Sequence, residues 1–447
     1  MGISNIIFIL LFSAGLFLFV RNARRVRRNI LLGKDIDRSD NKKERWKIMT
    51  LVALGQKKMF SRPFPALMHL FVYVGFVLIN IEVLEMIIDG AFGTHRFFSF
   101  LNFFEGFPLY NIMIGGFEIL AFLVTFGCLI FLIRRNIVNV KRLVMKELNG
   151  WPKTDANIIL ISEILIMGSL FLMNAAEHAK YFTEMPSGLS LPFAGLQGAF
   201  PVSQYLVSFL THFNPQTIEI IEHFCWWFHI VGVIGFLNYL IISKHFHIVL
   251  AFPNVFYSNL NPKGKFTNLD SVTTEVKAML DPSFVPPPAN PNVPMRFGAK
   301  DVFDLSWKQL LDSYTCTECG RCTSTCPANQ TGKLLSPRKI MMDTRDRLEE
   351  VGKNIDKNGK FVDDGKALFG NYILAEELWA CTSCNACVQE CPINIDPLSI
   401  IVDIRRFLVM EQSAAPSGLN LMFTNVENNG APWQFSPADR LNWANEN

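Results

Sequence analysis

The sequence predicts an all-α protein in two parts: five transmembrane helices, then a smaller helical domain. Three observations predict it. Five stretches within residues 1–250 are long and apolar enough to cross a hydrocarbon core, which takes ~20 helical residues. The rest of the 447-residue chain has an ordinary polar composition, and it carries two cysteine runs of identical spacing. The averages agree: half of all residues are hydrophobic, 40 are Phe and only 18% are charged, against roughly a quarter charged in soluble domains. The net charge of +3 is too small to argue for nucleic acid, and the aromatic content excludes intrinsic disorder.

The predicted spans run from Ile3 to Val20, Phe64 to Ile88, Asn111 to Ile133, Ile158 to Lys180 and Ile218 to Ile242. The first reads as a retained helix. No charged segment precedes it, no Ala-x-Ala site follows, and the basic cluster Arg21, Arg24, Arg25, Arg27 and Arg28 comes after it. Loop charges set the orientation. Fourteen Lys and Arg lie from Arg21 to Arg62 and six from Arg134 to Lys153, whereas the loop after the second span has one, Arg96, and that from Tyr181 to Thr217 has none. Basic loops stay in the cytoplasm, so the N-terminus is expected outside and everything after the fifth span inside. Glu44 to Arg62 is expected to form a helix along the inner membrane surface.

Six of the eight histidines lie in or just past the spans, where ionisable groups are expensive and mark function. His229 and His247 are 18 residues apart, five turns at 3.6 residues per turn. If the fifth helix runs a turn beyond Ile242, both share one face, roughly 27 Å apart along the axis, and His245 lies ~160° off it. Two haems b stacked across a bilayer need such a pair, each with a second axial imidazole. His69, near the inner start of the second span, is the expected mate of His247. His178, near the outer end of the fourth, is the expected mate of His229, with His223 as second choice. Glu82, Glu85, Glu118 and Glu163 lie within the spans and are the candidate proton acceptors for quinol oxidation, which sheds two protons.

A proline-rich connector, Pro282 to Pro294, leads into the second part; such a run is an extended spacer. Then come Cys316-Thr-Glu-Cys319-Gly-Arg-Cys322-Thr-Ser-Thr-Cys326-Pro327 and Cys381-Thr-Ser-Cys384-Asn-Ala-Cys387-Val-Gln-Glu-Cys391-Pro392. This C-x2-C-x2-C-x3-C-P pattern holds two [4Fe-4S] clusters, the fourth Cys of each run ligating the other cluster. The expected sets are Cys316, Cys319, Cys322 and Cys391 for one, Cys381, Cys384, Cys387 and Cys326 for the other. Zinc prefers paired C-x2-C units, and structural disulfides do not persist in a cytoplasmic domain. Ser336 to Val351 and Lys366 to Leu378 have helical character, so the cysteines are expected in a helical ferredoxin domain.

The five-span half resembles the di-haem b membrane subunit of respiratory nitrate reductases, and more closely the membrane subunit of heterodisulfide reductases. The cysteine half resembles the ferredoxin domain of those reductases and of membrane iron–sulfur oxidoreductases that link electron-transferring flavoprotein to menaquinone. One departure concerns the haems. In the nitrate-reductase subunit the second helix carries two ligand histidines; here it carries His69, and ten residues on stands Ile79, which cannot ligate iron. That leaves one or two haems open. The ending from Phe423 to Trp443 resembles the connector that precedes a cysteine-rich CCG domain in fused relatives, so a separate CCG iron–sulfur protein is an expected partner.

The expected division is a haem b membrane domain over residues 1–250, a linker over 251–300, a helical ferredoxin domain over 301–412 and a docking tail over 413–447. The expected function is a cytoplasmic-membrane oxidoreductase subunit. It exchanges electrons between menaquinone, haem b, two [4Fe-4S] clusters and a soluble partner, with reduced electron-transferring flavoprotein the favoured donor. A quinol-dependent heterodisulfide-type reductase subunit and a non-catalytic membrane redox sensor are the alternatives.

Overall fold

The computed structural model describes residues 2–103, 108–184, 198–287 and 296–445. Among these there is no β-strand, only two isolated bridges, Lys34 with Ser306 and Phe369 with Ile373. Five helices are long and apolar enough to cross a membrane: α1 (Ile3–Ile30), α3 (Pro63–Phe92), α4 (Leu109–Asn136), α5 (Trp151–Glu184) and α7 (Pro215–Leu240). Short helices α2 (Lys42–Met49) and α6 (Gln204–Leu210) fall between them. The chain is a membrane protein whose regular elements, among the described residues, are helices.

The ends depart from the predicted spans where other contacts take over from apolarity. Helix α1 continues past Val20 to Ile30, because Val26 and Ile30 are buried in the core of the cysteine domain. Helix α7 stops at Leu240, so the expected run through His247 is not made. Asp155 of α5 ends it, accepting from the Tyr239 hydroxyl (2.6 Å) and the Lys244 amide (3.3 Å). Ser243 then caps the next turn by accepting from the His245 amide, and helix α8 (His247–Phe256) begins afresh. The five-turn register therefore does not relate His229 to His247. The expected surface helix from Glu44 to Arg62 is also divided: α2 passes into a π-turn at Thr50–Leu54, then a 3-10 turn at Met59–Ser61.

Helix α9 (Asp270–Leu280) lies inside the expected linker, while residues 288–295 of the proline run lie outside the described residues. The cysteine domain follows with α10 (Trp307–Thr315), α11 (Arg321–Ser324), α12 (Pro327–Gln330), α13 (Pro337–Asn358), α14 (Leu368–Asn371), α15 (Ala375–Trp379), α16 (Ala386–Glu390) and α17 (Pro397–Met410). Helix α13 starts as expected, with Ser336 accepting from the Lys339 amide and Pro337 in the first turn. It runs beyond Val351 to Asn358 and closes on Gly359. The second expected helix, Lys366 to Leu378, is instead two short pieces broken at Phe369 and Gly370. Helices α18 (Ser417–Asn429) and α19 (Asn442–Asn445) end the described chain.

Two cores hold the molecule. One lies within the bundle around Phe8, Tyr110, Leu170 and Ile230. The other joins Leu240, Phe246 and Leu250 to Leu310, Leu348 and Ile404, so the cysteine domain is seated on one end of the bundle through shared apolar burial. Each such side chain contributes ~1.5–3 kcal/mol when fully buried.

Candidate functional site

The two cysteine runs fold alike. In the first, Glu318 and Gly320 take positive φ (56° and 71°); in the second, Ser383 and Asn385 do so at the equivalent positions (57° and 59°). These left-handed turns curl each loop so that its thiols face inward. At Gly320 a Cβ would collide with the Arg338 guanidinium, so the turn needs glycine. A small hollow is lined by Cys316, Cys319, Cys322 and Cys391, that is, three thiols of the first run and the fourth of the second. Cys326 in turn lies near enough to Cys381 and Cys387 to act on both electrostatically. All ten cysteines are unpaired, and no three His, Cys, Asp or Glu among the described residues converge as one metal ion requires. Thiols spread around a hollow suit a cubane's corners better than one ion. Burial pushes the Cys391 thiol up to about 11 and Cys316 up to about 12. Four thiolates in such a place need compensating charge, which coordinated iron supplies.

The first set is built into the join between bundle and domain. Arg142, from the turn after α4, donates to the Cys319 carbonyl. Arg321 donates to the carbonyls of Lys58 (3.1 Å) and Met59 (3.2 Å) just before α3. Lys58 acts electrostatically on Cys391, and Arg345 on Cys316. Buried Lys244, in the turn before α8, makes an ion pair with Glu318 inside the first cysteine loop; Arg345 holds the other carboxylate oxygen at 2.8 Å. The second set is different. Cys384 is exposed, Arg405 donates to the carbonyls of Leu378 and Cys381, and Asp396 acts on Cys387.

His69 and His247 lie in one layer at the same join, where His247 and Arg321 both act on the His69 ring. The buried Nδ1 of His69 has no hydrogen-bond partner among the described residues. His247 Nδ1 lies 3.2 Å from the Lys244 carbonyl, the backbone bond that metal-ligating imidazoles use to fix their ring. His245 joins this layer, its ring 5.4 Å from that of His247. Helical register sends His245 to the opposite face; the break at Ser243 is what brings it in. His69 and His247 are the two imidazoles of this layer with a ring nitrogen placed as an iron ligand would need, one open at Nδ1 among the described residues and one fixed by its backbone bond.

His229 is buried further along α7, its Nδ1 2.9 Å from the Ile166 carbonyl and 3.3 Å from Ser169 Oγ. His178 lies nine residues past Ser169 on α5, roughly 13 Å along the axis, beside Phe200 and within reach of Glu118 and Glu177. The structure does not bring His229 and His178 together. His223 is exposed and bonded to its own helix at Glu219.

The glutamates divide. At the bundle end away from the cysteine domain, Glu118 accepts from Asn174 Nδ2 (3.0 Å), the amides of Val202 and Ser203, and the Ser203 hydroxyl. Glu85 accepts from the Phe98 amide (2.7 Å) and the Tyr110 hydroxyl (2.9 Å). Glu82 pairs with Arg96 (3.3 Å), which also holds Glu177 and Asn174. These three carboxylates tie loops to helices. Glu163, by contrast, faces a cavity it shares with His229.

The comparisons with known proteins agree with the cysteine geometry. Residues 315–395 match the family model of the 4Fe-4S dicluster domain. Over 99% of its length the chain is 27% identical to a Bacillus subtilis protein named probable iron-sulfur-binding oxidoreductase FadF, covering 61% of that protein. Over 93% it is 26% identical to the EtfAB:quinone oxidoreductase of Syntrophomonas wolfei, covering 56% of it. A shorter stretch, 26% of the chain, is 31% identical to one component of a CoB-CoM heterodisulfide reductase from Methanosarcina acetivorans, of which it covers 60%. The chain thus spans about 60% of the length of these relatives. No solved structure matches. The relatives are named oxidoreductases or parts of reductases, and they support an iron–sulfur oxidoreductase subunit here.

Proposed function

We propose that this chain is a quinone-linked electron conduit of the cytoplasmic membrane, with its N-terminus outside and its cysteine domain in the cytoplasm. The observation that carries it is the continuity of one path. The His69/His247 layer lies beside Arg321 of the first cysteine loop, the two runs exchange their fourth thiols, and the second run reaches the surface at Cys384. Cys316, Cys319, Cys322 and Cys391 would hold one cluster, Cys381, Cys384, Cys387 and Cys326 the other, and His69 with His247 one haem b. When bound, these groups supply one-electron chemistry between a two-electron soluble donor and menaquinone. The chain's own part is to hold them at fixed places. Lys244 and Glu318 lock the histidine turn to the first cysteine loop, Arg321 anchors that loop to the foot of α3, and Arg405 braces the second loop.

The soluble partner, on this reading, is reduced electron-transferring flavoprotein or a CCG iron–sulfur protein that meets the surface around Cys384. The relative named EtfAB:quinone oxidoreductase supports the first. A pyridine haemochromogen assay with iron and sulfide analysis tests the assignment. A single haem b with about eight non-haem irons is the expected result; no haem in a protein that keeps its iron and sulfide would leave a membrane-held ferredoxin and sink the quinone link.

A further inference from the structure

Midway along the bundle, between α3, α5 and α7, lies a cavity whose lining includes Glu163, His229, Ile79, Asn80, Phe76 and Met167. Two of these are buried polar groups, Glu163 and His229. Glu163 is 8% exposed, and its carboxyl has no hydrogen bond or ion pair among the described residues. His229 is 1% exposed. Its Nδ1 is engaged by the Ile166 carbonyl and so ties α7 to α5; that nitrogen carries the proton, and Nε2 is an acceptor without a partner among the described residues. A carboxyl and a ring nitrogen left open in this way at membrane depth are expensive. Another hollow, about 590 Å³ on the surface of α7, is an open groove whose Glu219 and His223 are exposed.

The cavity does not suit a second haem. From α3 it is faced by Val72, Ile79 and Val83, none of which can ligate iron across from His229. Its free volume is about 60 Å³, enough for the leading edge of a small ring; the lack of a ligand opposite His229, and not the volume, argues against haem. One side is open to lipid, since Phe76 and Asn80 are exposed on the flank of α3. A flat apolar ring with a polar atom at each end and a lipid tail matches that shape once the Phe76 ring swings aside.

We propose that this cavity takes the head of a para-quinol, one hydroxyl donating to His229 Nε2 and the other to the Glu163 carboxylate, with the tail leaving past Phe76 and Asn80. The proposal rests on the quinone-linked reading above and gives it a place. Oxidation of the head breaks two O–H bonds and converts two C–OH groups to C=O. His229 Nε2 takes one proton and the Glu163 carboxylate the other, and two electrons leave singly to a haem-type one-electron acceptor. Reduction runs the same balance backwards once both groups have been reprotonated.

The test is a fluorescence-quench titration of the detergent-solubilised full chain with 2-heptyl-4-hydroxyquinoline N-oxide, a quinol analogue. It compares wild type, Glu163→Gln and Val233→Phe, the last filling the cavity wall. Iron–sulfur and haem absorbance checks that each variant is assembled. The expected result is saturable quenching that weakens about tenfold or more in both variants, as when a buried hydrogen bond or its space is removed. Wild-type affinity in both variants overturns the site and leaves the quinone link standing. Absence of quenching in wild type, with no quinol-dependent reduction, overturns the quinone link itself. A second low-spin haem that disappears in His229→Ala overturns the site by showing that the cavity holds iron.

Discussion

The first thiol set (Cys316, Cys319, Cys322 and Cys391) sits against the feet of α3 and α4, with Arg142, Arg321, Arg345 and Lys58 acting on its thiols. The second run opens to the surface at Cys384 and faces Asp396 as well as Arg405. The ligand spacing is identical, so any difference in redox potential comes from these surroundings. Adding an electron to a cluster adds negative charge, which nearby cations favour and anions oppose. A unit charge ~8 Å away at an effective dielectric near 20 contributes ~2 kcal/mol, or about 90 mV for a one-electron couple. The exposure of Cys384 works the other way, since water also favours the more charged state. Four cations and one anion, Glu318, on the first side against one cation and one anion on the second still outweigh it. The centre at the membrane should therefore be the better electron acceptor, so electrons entering at Cys384 run downhill toward the bundle. This direction favours oxidation of a soluble donor over quinol-driven reduction.

The largest expected effect comes from breaking the join. Lys244 and Glu318 are both under 10% exposed as side chains. Removing one partner of a buried pair costs about 3–5 kcal/mol, because the other charge is left unpaired. Glu318→Ala takes the nearer carboxylate from Lys244, leaving it Asp155 at 3.8 Å, and leaves Arg345 with Asp346 at 3.4 Å, so the loss should fall toward the lower end of that range. The membrane-side centre and the His247 turn should lose their geometry, while the second centre, braced by Arg405, stays. Iron content falling toward half, with the EPR signal of one cluster retained, is the expected outcome. Equal loss of both signals would mean that the two centres are not separately supported.

A smaller change should shift the potential of one centre and leave it assembled. Arg321→Gln removes one cation from beside Cys319 and Cys391 while keeping a side chain able to donate. An EPR-monitored redox titration should show the higher potential lowered by roughly 50–100 mV and the lower one moved much less. If the lower potential moves instead, the ranking of the two centres is reversed, and with it the direction of flow.

Much of this is legible in the sequence, and what is not has a physical reason. The five apolar helices follow from length and apolarity, and the matching turns of the two cysteine loops from a repeated spacing, because both signals are local. Helical periodicity puts His245 on the wrong face because it carries no sign of the Asp155 bonds that end α7. Glu82, Glu85 and Glu118 resemble Glu163 as acidic residues within spans; only their partners, Arg96, Tyr110 and Ser203, show that they fasten loops. The cations around the first thiol set come from four separate segments, and no motif joins Lys58, Arg142, Arg321 and Arg345.

The smallest expected effect tests the anion on the other side of the comparison. Asp396 is buried, and burial together with the nearby Asp312 carboxylate pushes its carboxyl up to about 6. It is neutral below that pH and an anion above it, so the potential of the second centre should fall as the pH rises through about 6. Asp396 acts on Cys387 of the second set, so the first centre should show a weaker slope. Asp396→Asn keeps the cap on α17, where the side-chain oxygen accepts from the Ser399 amide at 3.0 Å, and removes the charge. The variant should hold the second centre's potential at its low-pH value across the range, narrowing the gap between the centres by some tens of millivolts. A pH slope that survives in the variant would assign the titration to another group and remove Asp396 from the account of the asymmetry. A slope that disappears would show that one carboxylate helps keep two identically spaced centres apart in potential.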